Sequence, residues 1–529
     1  MASLGRRLYP FLFFLVSFVA GLTPAQWRAQ SIYQVMTDRF ARTDGSTTAA
    51  CDLNEYCGGT WQGLISRLDY IQQMGFTAVL AFLDCLATDT DNSPKRYGYH
   101  QSSRIRLRPQ PMATHTMDIG RPMPMLSIPT SAPLPTLKRC LLHCIAEAWY
   151  ESKQPCDSYH HTNKSQYLMV DVVPNHMGSV STQASVNYAA LNPFNKQSYY
   201  HTPCGIDYNN DTSIKQCWLG DNTVSLPDLR TEDSTVANMW NTWISQLVSN
   251  YSIDGLRIDT AYQINQGFWS AFQSAANGIH TLGEIWVDSP SQMCPYQNYL
   301  HGLLNYPNYY YITQAFQSTS GSISNLANGI NSMKSTCKDV TLLGSFLENH
   351  DNPRFASLTS DQALIKNALA FQILADGIPI IYQGQEQQFT GSNVPANREQ
   401  LWKSGYNKNA ALYLHIATLN KLRSWAIRKD SSYVTYNAWP IYSDSQTIVM
   451  RKGQVVSAYT NNGANGATRS VTISASNSGF TAGQKVTEIL RCTALTADSR
   501  GNLGITFQGG KPFVLFPTAG LSGSGICGH

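Results

Sequence analysis

Three short acidic segments constrain this chain more than any other feature: D-G-L-R-I-D-T, which contains Asp259, L-G-E-I-W around Glu284, and E-N-H-D-N-P around Asp351. Each follows or closes a short apolar run, so each reads as a carboxylate at the C-terminal end of a buried strand. Acids collected at strand ends suit a closed parallel sheet, because a (β/α)8 barrel keeps its chemistry at that rim. Arg257 stands two residues before Asp259, on the same face of the strand, where it can keep that carboxylate ionised. His350 directly precedes Asp351 and places a donor beside it.

Composition narrows the class. The 529 residues allow two or three domains, and a barrel takes most of that length. Only 14% of residues are charged, the net charge is +4 and no basic run is present, which excludes nucleic acid as a partner. The 28 Tyr and 11 Trp offer many flat rings, although barrel packing uses most of them. Arg6 and Arg7 precede L-Y-P-F-L-F-F-L-V-S-F-V-A-G, an apolar stretch too short for a membrane span, so residues 1–22 read as a secretory signal peptide. The mature chain is expected to begin between Leu22 and Gln26 and to be released as a monomer, with no membrane anchor.

Patterning supplies the organisation. Gln30 to Phe40 reads as the first strand, and residues 60–75 as an amphipathic helix ended by Gly75. Tyr167 to Val173 is a buried strand; from Pro174 to Asp228 the text turns irregular and rich in Asn, Ser and Tyr. Helical and strand patterns then alternate: 236–251, 255–260, 265–276, 281–286, 342–350, 362–376, 378–383 and 410–427. From Tyr433 onward short β segments with Gly and Asn turns predict a separate antiparallel domain.

Together with D-V-V-P-N-H at 171–176, the acidic segments resemble the four conserved regions of the α-amylase family of glycoside hydrolases. The resemblance is closest to secreted fungal α-amylases of the Taka-amylase type and runs from Q-S-I-Y-Q-V-M-T-D-R-F at 30 to Cys527. It implies a (β/α)8 barrel over 23–173 and 229–430, an inserted B domain over 174–228 and a C-terminal β-sandwich over 431–529. It further implies that Asp259 is the nucleophile, Glu284 the general acid/base and Asp351 the acid that positions substrate. Arg257, His176 and His350 match the charge-tuning and sugar-binding residues around the cleaved unit, and Asp171 matches a supporting acid of the first region. The expected reaction is retaining endo-hydrolysis of α-1,4-glucosidic bonds in starch, which needs two carboxyls with pKa values held apart. A 4-α-glucanotransferase and a non-catalytic glucan-binding protein remain alternatives.

The same resemblance implies disulfides Cys51–Cys57, Cys204–Cys217, Cys294–Cys337 and Cys492–Cys527, suited to an oxidising compartment. It implies a Ca²⁺ ion held by the side chains of Asn175 and Asp228 and by main-chain carbonyls near Lys215 and Gln263. Sequons at Asn210 and Asn250 fit glycosylation. Some positions depart from the family. Tyr262 and Gln263 stand where many fungal amylases place Lys-His as leaving-side contacts. Arg398 is retained, but Val394 replaces a sugar-binding Asp, and losing a charged hydrogen-bond partner costs about 1.5 to 3 kcal/mol.

Residues 80–166 depart most, being rich in Pro, Met and Arg without helical or strand period, and they contain Cys85, Cys140, Cys144 and Cys156. The family would show here a second strand, a loop like G-Y-x-Y-H-G-Y-W and a helix like K-A-L-S-S-A-L-H-x-R-G-M. Codons permitted for Met112 to Gly120, read from the third base of the Met codon, allow G-Y-A-Y-H-G-Y-W. The same offset from Leu137 to Trp149 allows K-A-L-S-S-A-L-H-S-R-G-M. We read the stretch as a shifted frame with retained intron. Sequencing cDNA across codons 75–170 tests this: the expected transcript encodes both family motifs, and one reading straight through the printed residues refutes it.

Overall fold

Short apolar runs such as I-Y-Q-V, A-V-L-A and Y-L-M-V-D-V become parallel strands because both of their faces are covered. A computed structural model describes residues 21–82, 166–179, 181–222 and 224–529. Eight strands form one sheet: β1 (Ile32–Val35), β2 (Ala78–Ala81), β3 (Tyr167–Val172), β4 (Gly255–Ile258), β5 (His280–Gly283), β6 (Gly302–Leu303), β7 (Gly344–Ser345) and β8 (Ile378–Tyr382). Neighbours pair in parallel from β1 through β6, and β8 joins β1 to β7. A parallel bridge from Leu304 to Gly344 links the remaining ends, which closes the ring. Ile32, Leu80, Met169, Leu282, Phe346, Ile378 and Ile380 form one buried apolar cluster contributed by six of the eight strands or the residues just beyond them.

Helices cover the outside: α1 (Trp61–Ile65), α2 (Leu68–Gln73), α3 (Asp211–Gln216), α4 (Ser234–Tyr251), α5 (Trp269–Ala275), α6 (Tyr306–Phe316), α7 (Ile323–Thr336), α8 (Gln362–Leu374) and α9 (Ala411–Lys429). In α4, Asp233 caps the first turn by accepting from the N–H groups of Thr235 and Val236, and Ser252 ends it in a left-handed conformation. Its buried face, Val236, Trp240, Ile244, Leu247 and Val248, has helical spacing.

Beyond α9, strands β9 (Trp439–Ser443), β10 (Thr447–Lys452), β11 (Val455–Thr460), β12 (Arg469–Ile473), β13 (Lys485–Glu488), β14 (Thr493–Thr496), β15 (Leu503–Phe507) and β16 (Phe513–Pro517) are antiparallel. They form a six-stranded sheet, β9-β10-β11-β16-β13-β14, and the pair β12-β15. Val449, Val456, Ile473, Ile505 and Leu515 share one apolar core drawn from both sheets. All four implied disulfides are formed, with Cα–Cα distances of 4.9, 4.8, 4.6 and 5.1 Å in chain order. Among the described residues, no helix is long and apolar enough to cross a membrane.

Several elements differ from the sequence reading. The first strand ends at Val35 and a helical turn, Thr37–Phe40, follows. The expected helix over 60–75 is two helices, α1 and α2, interrupted at Ser66 and Arg67. The second barrel strand is present at Ala78–Ala81, paired to β1 and β3, so the anomalous stretch does not begin at residue 80. Most of that stretch, with its four cysteines, and most of the expected signal peptide lie outside the described residues. Strand β6 and helices α6 and α7 had no counterpart in the sequence reading: a two-residue strand carries no period, whereas both helices do bury residues at helical spacing.

The seam between β6 and β7 tolerates little volume. A Cβ on Gly302 would stand 2.2 Å from the carbonyl oxygen of Leu342, a main-chain atom that cannot step aside. Gly302→Ala is expected to lower unfolding free energy by about 1–3 kcal/mol, read from urea denaturation.

Candidate active site

Register decides which side chains meet. Asp171 of β3 lies opposite Arg257 of β4, and Ile258 lies opposite Gly283 of β5, so Asp259 and Glu284 are the next residues beyond paired strand ends. Main-chain bonds extend the ladder one step, from the N–H of Asp259 to Val172 and from that of Glu284 to Ile258, each 2.9 Å. Three carboxyl groups consequently surround one guanidinium. Arg257 Nη1 lies 2.9 and 3.0 Å from the two oxygens of Asp171 and 2.6 Å from Asp259 Oδ1, while Nη2 lies 2.8 Å from Glu284 Oε1. All four residues are buried, so the charges are poorly screened and the pairing is strong.

One positive charge cannot balance three negative ones out of water. Burial pushes the Glu284 carboxyl up to about 7, with the charges of Asp259 and Asp351 adding to it against the pull of Arg257. Burial likewise raises Asp171, to about 8, despite Arg257. A proton held near neutrality at Glu284 is what a general acid requires.

Asp351 occupies the loop beyond β7, further from a hydrogen-bonded strand than the sequence implied, since that strand has only two residues. Burial opposes its ionisation, but His350, Arg398 and Arg257 outweigh burial and hold its carboxyl well below the usual carboxylate range. His350 Nε2 lies 3.0 Å from Asp351 Oδ2, and its Nδ1 lies 3.2 Å from the amide nitrogen of Gln34. With Gln34 donating to Nδ1, the imidazole proton sits on Nε2 and points at Asp351. Arg398, expected beside substrate, donates to Asp351 Oδ1 at 3.1 Å and to the His350 carbonyl at 2.9 Å. It holds the loop that carries the acid.

The oxygen cluster expected to hold a cation is a separate place. Asp228 is fully buried and pairs through a β-bridge with His176. Its Oδ2 lies 2.7 Å from His201 Nδ1, while Oδ1 has no hydrogen-bond partner. Asn175, also buried, lies beside Asp228, with its amide nitrogen 3.2 Å from His176 Nδ1. Helix α3 packs on the turn Ala261–Gln263, which brings the Lys215 and Gln263 stretches together. An orphaned carboxylate oxygen beside an amide fits a hard cation. Among the described residues no three His, Cys, Asp or Glu side chains gather as a metal cluster. His176 and Gln263 are buried, and the Tyr262 ring packs edge-on against Tyr296 at 5.6 Å. Asn210 caps α3 at the exposed surface, and Asn250 lies near the end of α4.

Some participants escaped the sequence reading. The Tyr306 hydroxyl donates to Glu284 Oε1 at 3.0 Å, and the Thr260 N–H donates to Glu284 Oε2 at 3.0 Å. Trp286 stacks on Tyr306 at 5.2 Å. The run N-Y-P-N-Y-Y-Y from Asn305 was the available signal, an aromatic cluster just after a strand end.

Comparison with known proteins agrees. The profile described as alpha amylase, catalytic domain, matches residues 34–105 and 158–485, which narrows the departing stretch to 106–157. Alpha-amylase 2 of Schwanniomyces occidentalis is 44% identical over 512 residues, covering 95% of this chain and 93% of its own length. Alpha-amylase of Saccharomycopsis fibuligera is 43% identical over 495 residues, covering 93% and 92% respectively. The solved structure of an alpha-amylase from Malbranchea cinnamomea superposes with a TM-score of 0.81 at 42% identity, covering 96% of this chain and all of its own. The chain belongs to the α-amylase family.

Because a donor to the ionised form lowers an acid's pKa, removing the Tyr306 hydroxyl should raise that of Glu284. Tyr306→Phe is expected to move the alkaline limb of kcat/KM upward and to lower kcat several-fold, measured on a soluble oligosaccharide.

Proposed function

We propose that this chain cleaves internal α-1,4-glucosidic bonds of starch and related glucans with retention at the anomeric carbon. The observation that carries the reading is the pair Asp259 and Glu284, gripped by adjacent nitrogens of one guanidinium. Retention needs the two carboxyls about 5–5.5 Å apart, and a shared guanidinium favours such close spacing. In the first step the Asp259 carboxylate attacks C1 while Glu284 gives its proton to the leaving oxygen, breaking the glucosidic bond and leaving a glucosyl ester on Asp259. In the second, water loses a proton to Glu284 as its oxygen displaces the ester, which frees the carboxylate and restores the acid. Asp351, ionised beside His350, would bind sugar hydroxyls and offset positive charge developing at the anomeric centre. Tyr262 lies on the expected leaving side. A sugar hydroxyl replacing water would make the chain a transferase, and the relatives' names favour water.

Asn175, Asp228 and the carbonyls near Lys215 and Gln263 would hold Ca²⁺, which when bound would tie the 174–228 stretch to the barrel by neutralising the orphaned Asp228 oxygen. We also propose the B domain at 174–228 between barrel halves 23–173 and 229–430, with the C-terminal domain at 431–529. We further propose a monomer glycosylated at Asn210 and Asn250 and exported; of these, export is supported by the four disulfides.

Asp259→Asn and Glu284→Gln are each expected to lower kcat on soluble starch by about 10³-fold or more, and fresh product should appear as the α-anomer by NMR. The reading fails if either variant stays active or the β-anomer appears first. Glu284 must hold its proton, so kcat/KM should be retained below and lost above about pH 7. Chelation is expected to lower Tm, and added calcium to restore it.

A further inference from the structure

Lys215 lies in α3 and turns its ammonium inward, where the side chain is only 8% exposed. Among the described residues the nearest carboxylate, Asp211, is 3.9 Å away on a side chain 77% exposed, and no buried carboxylate pairs with the ammonium. Instead the ammonium donates to the main-chain carbonyl of Tyr262 and, at 2.5 Å, to the Tyr296 hydroxyl. The rings of Tyr262 and Tyr296 flank it at 4.9 and 5.0 Å. A desolvated ammonium held chiefly, among the described residues, by oriented oxygens and ring faces is costly to bury, and the geometry it imposes is correspondingly specific.

What that geometry fixes is the turn immediately beyond the nucleophile strand. Thr260 has φ +47°, a left-handed conformation strained for a β-branched residue. Its N–H donates to Glu284 Oε2 at 3.0 Å, and its hydroxyl donates to Asp259 Oδ2 at 3.1 Å. Two residues on, the Tyr262 N–H donates to the Glu284 carbonyl at 3.2 Å. Residues 260–262 therefore touch both carboxyl groups and the main chain of one, and Lys215 grips the same peptide segment from α3.

We propose that Lys215 is a positioning residue for the reaction: its ammonium pins the 260–262 turn and so aims the Glu284 carboxyl at the bond to be cleaved. This rests on the reading of Glu284 as proton donor. The tie runs through the side chain, so substitution leaves the Lys215 carbonyl in place for a cation. A small misplacement of a proton donor lowers turnover more than binding.

The test compares Lys215→Met, which keeps the apolar stem, and Lys215→Arg with the parent, all in saturating calcium with maltopentaose as substrate. The Met variant is expected to lose about tenfold in kcat with KM within about twofold, and the Arg variant to recover most of that loss. A Met variant with parental kcat, a loss confined to KM, or an Arg variant no better than Met overturns the proposal. Should the Met variant fail to fold, Tyr296→Phe removes the hydroxyl that accepts from Lys215 and itself donates to the Tyr262 carbonyl at 3.4 Å; a several-fold fall in kcat supports the tether and an unchanged kcat overturns it. An active Glu284→Gln overturns the reading of the reaction and the proposal with it. An inactive Glu284→Gln beside a fully active Lys215→Met overturns the tether only.

Discussion

One guanidinium sets the electrostatics of this molecule. Arg257 is fully enclosed at the barrel rim and touches Asp171, Asp259 and Glu284 at once. Without it three carboxyl groups would face one another out of water, and breaking even one buried ion pair costs about 3–5 kcal/mol. With it the site is still out of water, and burial, aided by the charges of Asp259 and Asp351, keeps a proton at Glu284 against the pull of Arg257. Stability and chemistry thus draw on the same contact.

The barrel places this contact through register. Strands β3, β4 and β5 are paired such that Asp171 and Arg257 face each other and Asp259 and Glu284 emerge at adjacent ends. The opposite side of the ring is sparser, with β6 and β7 of two residues each and one bridge between them. There the loop beyond β7, carrying Asp351, is held by side chains, chiefly Arg398 and His350, where the ladder offers few bonds. The two sides of the site are built differently: a hydrogen-bonded ladder fixes the pair at Asp259 and Glu284, and a side-chain network fixes the third acid.

Much of this could be read from residue order, for physical reasons. Apolar runs ending in an acid mark strand ends, and spacing of two put Arg257 on the face of Asp259, where the ion pair forms at 2.6 Å. That the same arginine also holds Asp171 and Glu284 could not be read, since register between strands distant in sequence is settled by the whole ring. Tyr306 was missed because the strand before it is only two residues long, so nothing in the text marked its helix start as lying at the barrel rim. Lys215 looked like a contributor of its carbonyl alone; its side chain reaches Tyr262 only through packing of α3 on the 261–263 turn. The second strand was overlooked because A-V-L-A runs straight into unpatterned text.

The most direct test of the account is an infrared titration of the protonated carboxyl, taking the difference between the parent and Glu284→Gln. The account predicts a carboxylic-acid band assigned to Glu284 that disappears near pH 7. A band already lost near the ordinary glutamate value of about 4.3 would contradict it.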